Sequence, residues 1–130
     1  MKTNDDLESY LIELDIPYEQ LGEGMWLCHV GAADIVVAHT APIVVFRVKM
    51  FDLPSGSNDA LLRRLLELNV QEMVHGAYGI EDQSIVLVDA LEAENLDANE
   101  FRASVDSLAM AVHNHHDKLA KLIHPEQTVK

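Results

Sequence analysis

The chain has 130 residues, 48% of them hydrophobic, with a formal net charge of −13 and an isoelectric point near 4.7. That size and apolar content suffice for one domain, spanning 1–130, built around one real core. The acidity repels nucleic-acid phosphates and anionic lipid, so neither nucleic acid nor a membrane surface is expected as a partner.

No apolar run approaches the roughly 20 residues of a membrane span, and the first residues lack the basic and then apolar pattern of a secretory signal. A cytoplasmic protein is the expectation. The single cysteine, Cys28, cannot form an internal disulfide. Its neighbours Leu27 and Val30 suggest a half-buried strand position with a packing role.

At the amino terminus, Thr3 followed three residues later by Asp6 reads as a helix cap, with Leu7, Tyr10, Leu11 and Leu14 recurring behind it at helical spacing. Pro17 stops that helix. Residues 18–51 change to short runs rich in Val, Ile and aromatics, broken at Gly22-Glu23-Gly24, Gly31-Ala32-Ala33 and Thr40-Ala41-Pro42. This predicts an antiparallel meander of three strands, through 26–30, 34–39 and 43–51. In the third strand Val44, Phe46, Val48 and Met50 form a core face. Ile43, Val45, Arg47, Lys49 and Phe51 form a mixed face, apolar at both ends, that something partly covers.

After a loop at 52–56, Ser57 or Asn58 can cap a helix over 59–69. Its leucines, Leu61, Leu62, Leu65, Leu66 and Leu68, span an arc of roughly 160°, wider than the ~100° stripe one contact needs. Such a helix touches its own sheet and has apolar surface left for a second subunit. A hairpin follows, with strands over 74–80 and 84–90 joined at Asp82-Gln83. Gly76 and Gly79 thin its first strand and allow another backbone or helix close approach. Asp97 with Glu100 then opens a long helix through Phe101, Val105, Leu108, Val112, Leu119 and Ile123, ended by Pro125 and followed by a frayed tail.

The cluster His113-Asn114-His115-His116-Asp117 is the one place where metal ligands gather in sequence. With Val105 as origin on the helical wheel, His116 falls about 20° away, in the centre of the apolar stripe, and His113 and His115 lie on opposite flanks. The imidazoles diverge, so no metal is expected, and His116 reads as a histidine with one satisfied hydrogen bond in a core or subunit contact. The sequence has no G-x-S-x-G, no H-E-x-x-H, no phosphate-cradling glycine loop and no diagnostic Cys-His spacing. It reads as a non-enzyme without a cofactor.

The succession Leu65-Leu66-Glu67-Leu68-Asn69, Met73-Val74-His75-Gly76-Ala77-Tyr78-Gly79-Ile80, Ile85-Val86-Leu87-Val88-Asp89 and Leu96-Asp97 resembles the YbjN-like group of the type III secretion chaperone-like superfamily. The resemblance implies an α+β domain of order α-β-β-β-α-β-β-α, with a twisted antiparallel sheet flanked by helices, usually a homodimer. It further implies a small acidic cytosolic protein that holds a non-globular client segment in extended form. By the same resemblance, the Leu62, Leu66 and Asn69 side of the second helix is the dimer contact. Val45, Arg47 and Phe51 of the mixed face, with Trp26, are taken as a client groove from their apolar character. The alternative is a regulatory or sensory adaptor that binds a folded signalling partner and has no secretion client.

Overall fold

The computed structural model describes residues 2–123, so the expected stop at Pro125 and the tail lie outside the described residues. In chain order the elements are α1 (Asn4–Glu13), β1 (Tyr18–Gly22), β2 (Met25–Val30), β3 (Ala33–Thr40), β4 (Ile43–Asp52), α2 (Asp59–Gln71), β5 (Ala77–Glu81), β6 (Ser84–Glu92) and α3 (Ala98–Ile123). Among the described residues six strands form one antiparallel sheet in the order β1-β2-β3-β4-β6-β5. This is the expected α+β architecture with one strand more than the sequence reading. The extra strand, β1, pairs Tyr18 with Cys28, Glu19 with Leu27 and Gln20 with Trp26. Only Tyr18 is even half-buried in it. An edge strand held by backbone bonds and little burial leaves no alternation to find.

Local signals explain the helix starts. Thr3 and Asp6 make a reciprocal capping box, the Thr3 amide donating to Asp6 Oδ2 at 2.8 Å and the Asp6 amide to Thr3 Oγ1 at 3.2 Å. Asp97 and Glu100 repeat the arrangement before α3, at 3.2 and 2.8 Å. Asn58 stands at the start of α2, but its amide donates backward to the Pro54 and Gly56 carbonyls. It secures the loop, not the helix.

One face of the sheet carries the core: Trp26, Cys28, Ile35, Val37, Val44, Phe46, Val48, Ile85 and Leu87 pack with Leu7 and Leu11 of α1 and Phe101, Val105 and Leu108 of α3. Phe101 meets Phe46 edge-on at 5.2 Å between centroids. Helix α2 lies beside β5 and α3 and adds Leu61, Leu65 and Leu68. Gly76, just before β5, has φ +83°, and a Cβ there would stand 3.0 Å from both Leu108 Cδ2 and the Val88 carbonyl. The expected close approach is therefore real at Gly76. At Gly79 a Cβ would meet nothing within 4 Å.

Two elements depart from the expected register. In β4 the pairing slips between Lys49 and Phe51, so that Lys49 faces Val86 and Phe51 faces Ile85. Met50 is the extra residue of this bulge, and it turns Phe51 from the mixed face to the core side. In α3 the buried residues include Ser104, Ala111 and His115, which moves the centre of the buried arc about 60° from Val105 toward His115. Hence His115, not His116, is the core histidine. A wheel drawn on large apolar residues overlooks the small ones that let the sheet approach.

Candidate functional site

The four residues expected to form a client groove do not come together. Trp26 is 1% exposed on the core face, with its indole N–H unpartnered among the described residues, and cannot meet a partner from the surface. Phe51, turned inward by the bulge, packs against the core and sets its ring 4.9 Å from the exposed His116. Val45 and Arg47 do share the open face, which none of the described helices covers.

That face has its own order. The register aligns Leu27, Val36, Arg47, Val88 and Ala77 in one row across the sheet, and Met25, Ala38, Val45 and Ala90 in the next. Arg47 reaches over β6, its Nε donating to Glu81 Oε1 at 3.1 Å, and Lys49 pairs with Asp52. A shallow depression of about 710 Å³ lies between these charges, floored by Leu27, Val36 and Val86. At its β1 side His29 bridges two carboxylates, Nδ1 at 2.8 Å from Asp34 and Nε2 at 3.0 Å from Glu19. Both nitrogens can donate only when the ring is an imidazolium, and the Asp34 bond, followed by the Glu19 bond, raises the His29 pKa above its ordinary value. Three strands are thereby cross-linked through side chains.

Of the second expected surface, two of three residues are exposed. Leu66 of α2 is 67% exposed and Leu62 is exposed beside it. The series continues beyond the residues expected from sequence: Val70 is 87% exposed, Val74 85%, and Met110 of α3 is also exposed nearby. Val70 follows Leu62 and Leu66 at the same four-residue interval. Ending the helix at Asn69 hid it. Asn69 itself faces inward: Oδ1 accepts from the Tyr78 amide at 2.7 Å and Nδ2 donates to the Tyr78 carbonyl at 3.2 Å. Its amide serves β5, which removes it from the expected dimer contact.

Beneath this surface runs a polar chain, buried at Tyr78 and His115 and open to solvent at Glu72. The Tyr78 hydroxyl lies 2.7 Å from His115 Nδ1, and His115 Nε2 lies 2.9 Å from Glu72 Oε1. His115 is 1% exposed. Burial pushes the Tyr78 phenol well above its ordinary range, so it stays protonated; in the neutral His115 tautomer that donates Nε2–H to Glu72, Nδ1 accepts from the Tyr78 hydroxyl. The His115 bond in turn holds the Glu72 carboxyl below its ordinary value. A groove of about 340 Å³ lined by Val74, His75, Asp106, Met110, Asn114 and His115 opens outside this chain. Among the described residues no three His, Cys, Asp or Glu side chains converge as metal ligands would. Cys28 is fully buried, and desolvation pushes its thiol up to about 11. No helix among the described residues is long and apolar enough to cross a membrane.

A helix-backed antiparallel sheet of order β1-β2-β3-β4-β6-β5, with apolar side chains exposed on α2, is the α+β fold of the type III secretion chaperone-like class. Residues 1–124 match the CesT_Tir_1 family, a family of type III chaperones, and the chain belongs to it. No curated protein sequence matches it. Among solved structures it is similar to a chain of the heterodimeric ExoU–SpcU complex from the type III secretion system of Pseudomonas aeruginosa, with TM-score 0.70, 17% identity, and 92% of this chain and 98% of that one covered. It is similar to YbjN from E. coli, with TM-score 0.68, 14% identity, and coverage of 90% and 93%. A third is the Yersinia pestis type III secretion chaperone SycH in complex with a fragment of YscM2, with TM-score 0.57, 17% identity, and coverage of 89% and 95%.

Proposed function

We propose that this protein is a non-catalytic, chaperone-like module that works as a homodimer and holds an extended segment of a partner polypeptide. The observation that carries this reading is a run of exposed large apolar side chains, Leu62, Leu66, Val70 and Val74, along α2 and the loop after it, with Met110 of α3 near it. A second set, Leu21 and Met25, flanks the β1–β2 turn, while Ile12, Ile80 and Leu122 are exposed singly. Single exposed apolar residues need no explanation, but a run at helical spacing does. The α2 set suits a two-fold contact, in which the same stripe meets itself. Its flanks favour an antiparallel crossing, because Arg63 and Arg64 precede Glu67 and Glu72, so that the basic half of one helix faces the acidic half of its copy. The second set leads from Met25 along its row to Val45, with Arg47 in the next, and this is the surface proposed for the client. Support also comes from family membership and from the similar chaperone SycH, solved in complex with a fragment of YscM2.

The test is a pair of measurements on one protein. Light scattering after gel filtration should give a dimer for the wild type and a monomer for Leu66→Lys with an unchanged circular dichroism spectrum. Limited proteolysis of a retained partner should yield a protected fragment that is unfolded when isolated. A protected fragment that folds alone would replace this reading with the adaptor.

A further inference from the structure

An open antiparallel sheet has two edges, and each presents unpaired backbone N–H and C=O groups on which another chain can add a strand. Here the edges are β1 and β5. The Asp82-Gln83 turn closes β5 onto β6 at the pair Glu81 and Ser84. By the antiparallel alternation, the residues of β5 whose backbone groups point away from β6 are then Tyr78 and Ile80. Tyr78 is the residue that Asn69 engages, with Oδ1 on its N–H at 2.7 Å and Nδ2 on its C=O at 3.2 Å. A carboxamide has one acceptor and one donor in the spacing of a peptide group, so Asn69 stands where the backbone of a neighbouring strand would stand. At β1 the corresponding protection is missing. Among the described residues the one side-chain hydrogen bond to its backbone is from Gln20 Nε2 to the Gly22 carbonyl, at 3.2 Å, at the end of the strand.

We infer that Asn69 closes the β5 edge against strand addition, acting as a one-residue substitute for a neighbouring strand, so that a second copy of this chain cannot extend the sheet there. Asn69 bonds both outward groups of a single residue at the middle of the edge, where pairing would have to begin. Ala77, Gly79 and Ile80 around it are exposed and uncharged, the composition that makes an unguarded edge associate.

The experiment uses the full chain in the Leu66→Lys background, which cuts the proposed α2 contact. Adding Asn69→Ala should make the sedimentation-average mass rise at least about twofold with increasing concentration. Ile80→Pro, which removes the other outward N–H of the edge, should then reverse that rise. A folded Asn69→Ala protein whose mass is independent of concentration overturns the inference, as does association that Ile80→Pro leaves intact. Should Asn69→Ala not fold, Asn69→Asp keeps the acceptor for the Tyr78 amide but loses the donor to its carbonyl. It should associate to a lesser degree, and a concentration-independent mass for it also overturns the inference. If Leu66→Lys alone leaves the mass of the wild type unchanged, the α2 dimer has failed while the effect of Asn69→Ala is still read against that parent.

Discussion

Replacing Tyr78 with phenylalanine removes one oxygen and isolates the contribution of the buried polar chain. In the wild type the hydroxyl donates to His115 Nδ1 at 2.7 Å, and His115 is 1% exposed, so no water can take its place without opening the α2–α3 contact. The variant leaves a buried acceptor unsatisfied, at a cost of about 1–3 kcal/mol. With an unfolding entropy of about 2 cal/mol/K per residue, that lowers Tm by roughly 4–11 °C for a chain of this length. His115→Phe strands the Tyr78 hydroxyl instead, whereas the double variant leaves neither group wanting and should recover about 1–2 kcal/mol relative to the sum of the single changes. Urea unfolding followed by the fluorescence of Trp26, the only tryptophan and one within the core, measures all four proteins. Glu72 adds a pH signature. Its folded pKa is held below the ordinary 4.5 by the His115 bond, so its stabilisation is present above that value and is lost as pH falls through and below it. The gap between wild type and Glu72→Gln should therefore close in acid. A Tyr78→Phe protein within about 0.5 kcal/mol of wild type, or strict additivity in the cycle, would refute the chain as drawn.

Two further outcomes follow from groups whose placement differs from first expectation or was not anticipated. Trp26→Ala should cost about 3–5 kcal/mol by emptying the core on the inner face of β2, and wild-type emission should be blue-shifted until the protein unfolds; emission typical of a solvated indole in the native state would contradict its burial. His29 has a raised folded pKa, so its clamp on Asp34 and Glu19 is fully present below 6.5 and fades as pH rises through the folded value. Tm measured between about pH 6 and pH 9 should fall less steeply in His29→Asn than in wild type; parallel curves would show that the clamp adds nothing.

What was legible in the sequence was whatever a few neighbouring residues decide. The boxes Thr3/Asp6 and Asp97/Glu100 and the Asp82-Gln83 turn are each complete within four residues, and all three form where expected. The core face of β4 was equally plain up to the point where one extra residue enters. Nothing in Lys49-Met50-Phe51 announces a bulge, because the slip is a property of its pairing with β6, and so Phe51 was placed on the wrong face. His115 and His116 were exchanged for a related reason. The centre of a buried helix face depends on Ser104 and Ala111, whose burial follows from how closely the sheet approaches and not from their own hydrophobicity. Asn69 could be read as surface because its partner, the backbone of Tyr78, exists only once β5 has paired.

The contacts of Asn69 and His115 share a location at Tyr78, and the reason is compositional. Strand β5 contributes one side chain to the core, Tyr78; its other positions are exposed, and a glycine precedes it. Burial alone cannot hold so thin an edge strand, since a hairpin gains independent stability only by packing against something. The chain supplies polar pins instead. Asn69 grips the Tyr78 backbone and His115 its hydroxyl; Ser107 Oγ donates to the His75 carbonyl at 3.2 Å and accepts from the His75 amide at 3.3 Å; the buried Ser104 donates to Asp89 of β6 at 2.6 Å. Each pin has a single geometry, unlike an apolar contact that tolerates sliding, so α2, β5 and α3 are fixed to one another in register. The consequence falls on the apolar stripe of α2. Leu62, Leu66 and Val70 stand on a helix whose far side is bolted to the sheet edge, so they cannot turn inward to relieve their own exposure. A surface held out in this way persists until a second molecule covers it, which is the physical requirement for a protein whose work is to bind other proteins.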